Sequence, residues 1–279
     1  VAHYLVTGQN GFIGKNLWSH LISLGHDLEG LEIKNIQQEN WKERIQLIFE
    51  KKQIDGIFHV GACADTLEQN VNYMMFLNFE VTRFLSDIAK EKGIKFVYSS
   101  SAANYGVDER ELPANLYAWS KYCAEQYVKN SNSGVSLRYF NVFGPGEEHK
   151  GKMASVAYQA YKGFYLTKEI SEMKLFPFNP KRDFIHVFDV VEANMLAMEN
   201  YLPGSVFDVG TTDPVQFEQF MELFGIPYYY CPPEEIPNGY QFYTRANPEK
   251  LIPGWTPKSE IKQRIIDYKN YLDGRESKI

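Results

Sequence analysis

The sequence predicts an α/β protein built on a doubly wound parallel sheet, and three observations carry that prediction. Short apolar runs at 4–6, 54–61 and 94–101 alternate with longer segments whose apolar residues recur at helical spacing. The first apolar run leads through a turn punctuated by Gly8, Gly11 and Gly14 into the first helical segment. The 279 residues show no internal repeat and no low-complexity linker, and they suffice for one large domain or two unequal ones.

The bulk numbers exclude several functions. With 29 basic and 35 acidic residues the net charge is −6, and no basic run stands out. Neither a nucleic-acid partner nor an anionic membrane surface is expected, so any phosphate recognition is local. Cys63, Cys123 and Cys231 are too few and too widely spaced for a disulfide framework or a metal cluster. No metal site is expected. With no signal-peptide pattern and no apolar run of membrane-spanning length, a reduced, cytoplasmic protein fits best.

The first element is the strand at 4–6, followed by G-x-x-G-x-x-G. Gly8 permits the turn, Gly11 lets backbone approach an anion, and Gly14 lets helix pack on strand. Phe12 and Ile13 complete the loop. A glycine loop between the first strand and the first helix is the arrangement that holds the pyrophosphate of a dinucleotide, so the fold is expected to be Rossmann-type. The helix at 15–25 carries Leu17, Leu21 and Leu24 and stops at Gly25. The second strand, 27–33, ends at Glu32, whose carboxylate suits the two ribose hydroxyls of NAD and repels a 2′-phosphate. Lys34 pulls the other way, so NAD and NADP both stand.

Trp41, Ile45, Ile48 and Phe49 mark an amphipathic helix, and 54–61 is the next buried strand. So little chain remains between them that the usual third, edge strand is expected to be missing or vestigial. A loop after Gly61 and Ala62 leads to a long helix reaching about Lys92. Residues 94–101 form a central strand ending in serines.

Tyr117 and Lys121 form Y-x-x-x-K, which places phenol and ammonium on one helix face. A phenol with a pKa of about 10 is a poor base at neutral pH. A nearby ammonium and an oxidised nicotinamide both favour phenolate, which brings it into acid–base range. A serine from the neighbouring strand end can bind the substrate oxygen that loses its proton.

With these residues in place, the chain resembles the extended short-chain dehydrogenase/reductase family of sugar-nucleotide epimerases and dehydratases, over nearly its whole length. In that family the last serine before the alanine is catalytic, here Ser101. Ala102 and Ala103 stand where its dehydratases carry an acid, which disfavours dehydration. Segments 59–66, 72–78, 96–106, 138–157, 175–184 and 240–247 are similar to the branch that epimerises a heptose nucleotide at C6.

The resemblance implies that Lys150 is a second acid/base facing Tyr117 across the sugar, and that Lys121 lowers the Tyr117 pKa and holds the nicotinamide ribose. It implies that Gly61, Ala62 and Asn78 serve the cofactor, and that Asn141, Phe176, Arg182 and Tyr240 surround the nucleotide sugar. It further implies a tightly bound NAD or NADP, a homo-oligomer and a role in supplying lipopolysaccharide precursors. A C4 epimerase, a reductase or a cofactor-binding scaffold without catalysis are the alternatives. The departures are Lys152 in place of a small hydroxyl residue, Gln159 in place of a histidine, and shorter segments before His59 and between Gly106 and Tyr117.

The dinucleotide-binding domain is expected to comprise 1–141, 183–212 and 256–272, with 142–182 and 213–255 forming a small α+β substrate domain. Within these, helices are expected at 152–162, from a cap at Asp189 through Asn200, and from 212–214 to about Gly225. A strand is expected at 205–210, a lid from 227–237 and 240–247, and a closing helix at 258–272.

Overall fold

The computed structural model describes residues 1–32, 40–107, 111–237, 240–258 and 260–275. Its centre is a parallel sheet of β1 (His3–Thr7), β2 (Asp27–Leu31), β3 (Gly56–His59), β4 (Lys95–Ser101), β5 (Val135–Tyr139) and a sixth strand, Val206–Val209. Across the sheet the order is Val206–Val209, β5, β4, β3, β1, β2. The strand order reverses between β1 and β3, where Thr7 lies opposite His59. In such sheets ligands bind outside the carboxyl ends of the strands at this reversal. Among the described residues no strand lies beyond β2; the stretch in which the edge strand was expected to be missing or vestigial includes residues 33–39, which lie outside the described residues.

Both faces of the sheet are covered, as short apolar strands require. On one face Leu17 and Leu21 of helix Phe12–Ser23 meet Val190, Ala197 and Met198 of helix Val187–Glu199. On the other, Ile45 and Phe49 of Trp41–Lys51, Leu85 and Ile88 of Val81–Lys92, and Ala124 and Val128 of Leu116–Asn130 close a second core. No helix among the described residues is long and apolar enough to cross a membrane.

The later segments build a third core around Phe143, Phe184, Phe220, Phe224 and Tyr268. Three two-stranded pairs frame it, of which Asn141–Phe143 with Phe184–His186 and Lys181–Arg182 with Val215–Gln216 matter for the site. The closing helix, Ile261–Leu272, was expected with the dinucleotide-binding segments, yet Ile261, Ile265 and Tyr268 face this third core. Arg264 ties it back through Asp189, at 2.9 Å.

Local chemistry corrects three expected helix starts. Asp189 is committed to Arg264, and the helix begins at Val187 with the His186 imidazole accepting from Phe188 N–H. After Pro214 the chain first pairs as a strand, then enters Phe217–Phe224 through a Gln216/Gln219 capping box. Helix 152–162 is interrupted, because Gly151 at φ +56° breaks the turn at Glu148–Met153 and Ser155 caps a new start at Val156.

A buried ion pair braces the sheet behind the serines. Arg138 of β5 forks onto Glu125 at 2.8 and 2.7 Å, and Ser100 donates to the same carboxylate at 2.7 Å. Gly14 supplies the corresponding constraint at the loop, since a Cβ there would lie 2.0 Å from Gly8 O. Gly14→Ala is therefore expected to lower unfolding free energy by about 1–3 kcal/mol in urea titration; an unchanged midpoint would contradict this packing.

Candidate active site

The glycine loop is built by close backbone packing. Gly8 has φ +65°, its N–H donates to Leu31 O at 2.9 Å, and a Cβ on it would lie 2.5 Å from Gly61 Cα. Gly11 N–H donates back to Gly8 O at 2.9 Å, and the helix that follows has no side-chain cap at its N-terminus. Uncapped N–H groups at a helix start, beside residues that admit no side chain, fit the pyrophosphate of a dinucleotide. Phe12 is buried beneath the loop and Ile13 packs against the first core.

Glu32 lies just past β2, where its carboxylate accepts from Asn10 N–H at 2.8 Å. The acid is thus held at the rim of the glycine loop, the place expected for the adenosine ribose. Lys34 lies outside the described residues. Gly61 N–H donates to Thr7 Oγ1 at 3.0 Å, and Ala62 follows it into the loop. Asn78 sits in a π-helical turn, Phe76–Glu80. Its amide accepts from Cys63 N–H at 2.7 Å and donates to Cys63 O and Ser120 Oγ. Asn78 therefore shapes the loop from behind.

Ser101 ends β4, where its hydroxyl caps the turn Ala102–Tyr105 and hydrogen-bonds Tyr117. Tyr117 enters in the first turn of Leu116–Asn130, whose start is fixed by Asn115 accepting from Ala118 N–H at 2.8 Å. One turn on, Lys121 is buried with its ammonium 4.5 Å from the Tyr98 ring. Burial raises the Tyr117 pKa, and the Ser101 hydroxyl partly opposes it. Burial pushes Lys121 down to about 7, with the Glu125 charge opposing. Burial is the largest cause of the shift in both groups.

Lys150 approaches the glycine loop from the second module. Its ammonium lies 5.2 Å from the ring of Phe12, and burial lowers its pKa against the charge of Glu147. Glu147 is fully buried, accepts from Ser155 and Tyr268, and takes the Lys150 N–H on its carbonyl. Gln159, one of the departures, donates to Lys152 O and Ala154 O and so secures the same turn.

Arg182, Phe176 and Tyr240 meet as expected. The guanidinium is 5.0 Å from the Tyr240 ring and 5.8 Å from Phe217, and Phe176 packs on Tyr240 at 4.7 Å. Arg182 is buried, and among the described residues it has no carboxylate partner. Asn141 is exposed beside this group, its N–H donating to Asp183 O at 3.0 Å. Asp183 itself is structural, its carboxylate gathering Thr211, Thr212 and Ala246. A cavity of about 150 Å³ beside Ser101 is lined in part by Ala102, Tyr105, Gln241 and Thr244.

Sequence reasoning missed Glu147, Glu125, Arg138 and His59, the last buried between Thr7 and Thr82. The signal for Glu125 was its place one turn beyond Lys121. Glu147 gave no signal, since its partners lie far along the chain. The Lys121 shift has a measurable consequence. Between pH about 7 and its ordinary value of 10.5 the unfolded chain holds more of this proton than the folded one, so Lys121 makes stability rise across that window. Lys121→Met is expected to stabilise the fold most below pH 7 and to remove that rise in urea titrations; an effect independent of pH would contradict it.

Comparison with known proteins agrees with this geometry. The sequence model of the NAD dependent epimerase/dehydratase family matches residues 4–210. A Brachyspira hyodysenteriae protein named ADP-L-glycero-D-manno-heptose-6-epimerase is 34% identical over 288 residues, covering 88% of this chain and 90% of its own. The crystal structure of the Helicobacter pylori ADP-L-glycero-D-manno-heptose-6-epimerase superposes with a TM-score of 0.83 at 28% identity, over 98% of this chain and 96% of that one. The UDP-glucose 4-epimerase of Thermotoga maritima, solved with UDP-glucose, gives 0.80 at 25% identity, over 98% and 99% of the two chains. The match runs through the glycine loop, the serine-ended strand and the Tyr117 helix alike, and the chain belongs to the NAD dependent epimerase/dehydratase family.

Proposed function

We propose that the chain is an NAD(P)-dependent epimerase of a nucleotide-activated sugar, acting on an ADP-heptose at C6 in the cytoplasm. The observation that carries this reading is Lys150. It is a half-buried amine with a lowered pKa, brought against Phe12 of the glycine loop from a different module than Tyr117. Two proton-exchanging groups from separate elements suit inversion, because the ketone must be reduced on the face opposite to the one oxidised. The heptose epimerase relatives support the substrate assignment.

A nicotinamide cofactor held along Gly8–Gly14 would supply reversible hydride transfer at the sugar carbon, and its positive charge when oxidised would favour the Tyr117 phenolate. Tyr117 or Lys150 takes the hydroxyl proton as the ketone forms, and the opposite group returns a proton to the oxygen after the ketone has turned. Ser101 binds that oxygen through its hydroxyl and holds the phenol in reach. Lys121 hydrogen-bonds the nicotinamide ribose. Arg182, a guanidinium without a carboxylate partner among the described residues, clamps the diphosphate, with Tyr240, Phe176 and Asn141 around the nucleotide sugar. Gly8, Gly11, Phe12, Ile13, Gly14, Gly61 and Ala62 hold the dinucleotide, which we expect to be tightly bound, and Asn78 supports them. Glu32 favours NAD over NADP.

Self-association is assigned to the aromatic face of Phe79, Trp119, Tyr122 and Tyr127, where Trp119 is 45% exposed. A second copy of the chain would cover it. Trp119→Glu is expected to yield a smaller particle by light scattering; an unchanged mass would remove the assignment.

The direct test is incubation with ADP-D-glycero-D-manno-heptose, following C6 by proton NMR. Inversion without added cofactor is expected, while Tyr117→Phe and Lys150→Ala should each lose at least about 100-fold in kcat with cofactor binding intact. Full turnover by Tyr117→Phe would sink the mechanism. Turnover of a UDP-hexose in place of the heptose would move the substrate to the C4-epimerase alternative.

A further inference from the structure

His59 is fully buried at the end of β3, on the strand between the glycine loop and the catalytic strand, and the mechanism above does not use it. Both ring nitrogens are bonded, Nδ1 to Thr7 Oγ1 at 2.7 Å and Nε2 to Thr82 Oγ1 at 2.8 Å. The ends of this chain fix its direction. Gly61 N–H can only donate, and it fills one acceptor position of Thr7 Oγ1 at 3.0 Å, leaving the threonine proton free to point at His59 Nδ1. The Asn78 carbonyl can only accept, and it takes the Thr82 hydroxyl proton at 2.7 Å. Thr82 Oγ1 is then an acceptor for His59 Nε2–H. Only the neutral imidazole with its proton on Nε2 satisfies both ends, and burial among apolar neighbours keeps it neutral to about pH 3.

The chain of bonds continues past Asn78. Its side-chain amide donates to Ser120 Oγ at 2.9 Å, and Ser120 donates to the backbone carbonyl of Tyr117 at 2.7 Å. The same amide holds Cys63 on both its N–H and its C=O. One polar thread therefore runs from Gly61, pressed against Gly8, to the residue expected to exchange the substrate proton. We propose that His59 is a positioning residue that sets the glycine-loop contact and the Tyr117 helix in register, acting through Gly61 and Asn78. A single imidazole at the crossing lets one element report the placement of the other, which a pair of separate threonine–backbone bonds would not do.

The test uses the full chain, freed of co-purified cofactor, and NAD⁺ titrations by calorimetry, so it does not depend on which sugar is the substrate. Wild type is the control for the cofactor reading itself. Thr82→Val removes the acceptor for His59 Nε2–H at nearly constant shape, whereas Thr82→Ser keeps it. Thr82→Val is expected to weaken NAD⁺ binding about tenfold, with Thr82→Ser within about twofold of wild type. Circular dichroism and melting temperature establish that both are folded. Ser120→Ala added to Thr82→Val should cost less than the two single losses combined, since both break one thread. If Thr82→Val binds NAD⁺ as tightly as wild type, or if Thr82→Ser is as weak as Thr82→Val, His59 is only a satisfied core residue. Should Thr82→Val fail to fold, Ser120→Ala and His59→Gln carry the same comparison, and NAD⁺ affinities equal to wild type in both overturn the proposal.

Discussion

The contact between Gly8 and Gly61 is the constraint on which the other features rest. With φ +65° at Gly8 and room for no Cβ against Gly61, the first turn is pressed onto the end of β3. That contact leaves the start of the first helix uncapped at the sheet's reversal point and sends the chain after Gly61 toward Asn78 and the Tyr117 helix. The anion site and the proton-exchange site share a wall because two backbones touch. A side chain at Gly8 would separate them.

Burial then sets the chemistry. It raises a phenol and lowers two amines, so that Tyr117, Lys121 and Lys150 are all moved toward their neutral forms. The raised phenol comes closer in proton affinity to a sugar hydroxyl, while the lowered amines give up a proton more readily than free lysines. Arg182 is treated differently. It stays a cation, cushioned by Tyr240 and Phe217 with no carboxylate to neutralise it among the described residues, and its charge is left for a ligand.

Much of this was legible in the sequence because it depends on local pattern. Three glycines at fixed spacing, serines at a strand end and a tyrosine four residues before a lysine are short-range features, and each stands where the pattern puts it. Three helix starts were misread because side chains distant in sequence decided them. Arg264 claims Asp189, Gly151 breaks the turn that carries Lys150, and Val215 pairs with Arg182 before the next helix can begin. The protonation of Tyr117 and Lys121 is less legible. Spacing brings a charge near a phenol, but only the fold tells how much water both groups lose. His59 was invisible, since its two partners, Thr7 and Thr82, lie on separate elements.

The account turns on hydride leaving and returning to the same sugar carbon. Incubating the protein with ADP-D-glycero-D-manno-heptose in deuterium oxide, and recording the C6 proton of the product by NMR, tests that claim most directly. Inversion with the C6 proton retained is predicted, because a hydride held on the cofactor does not exchange with solvent. Inversion with deuterium at C6 would contradict it, because the carbon would then have lost and regained a proton.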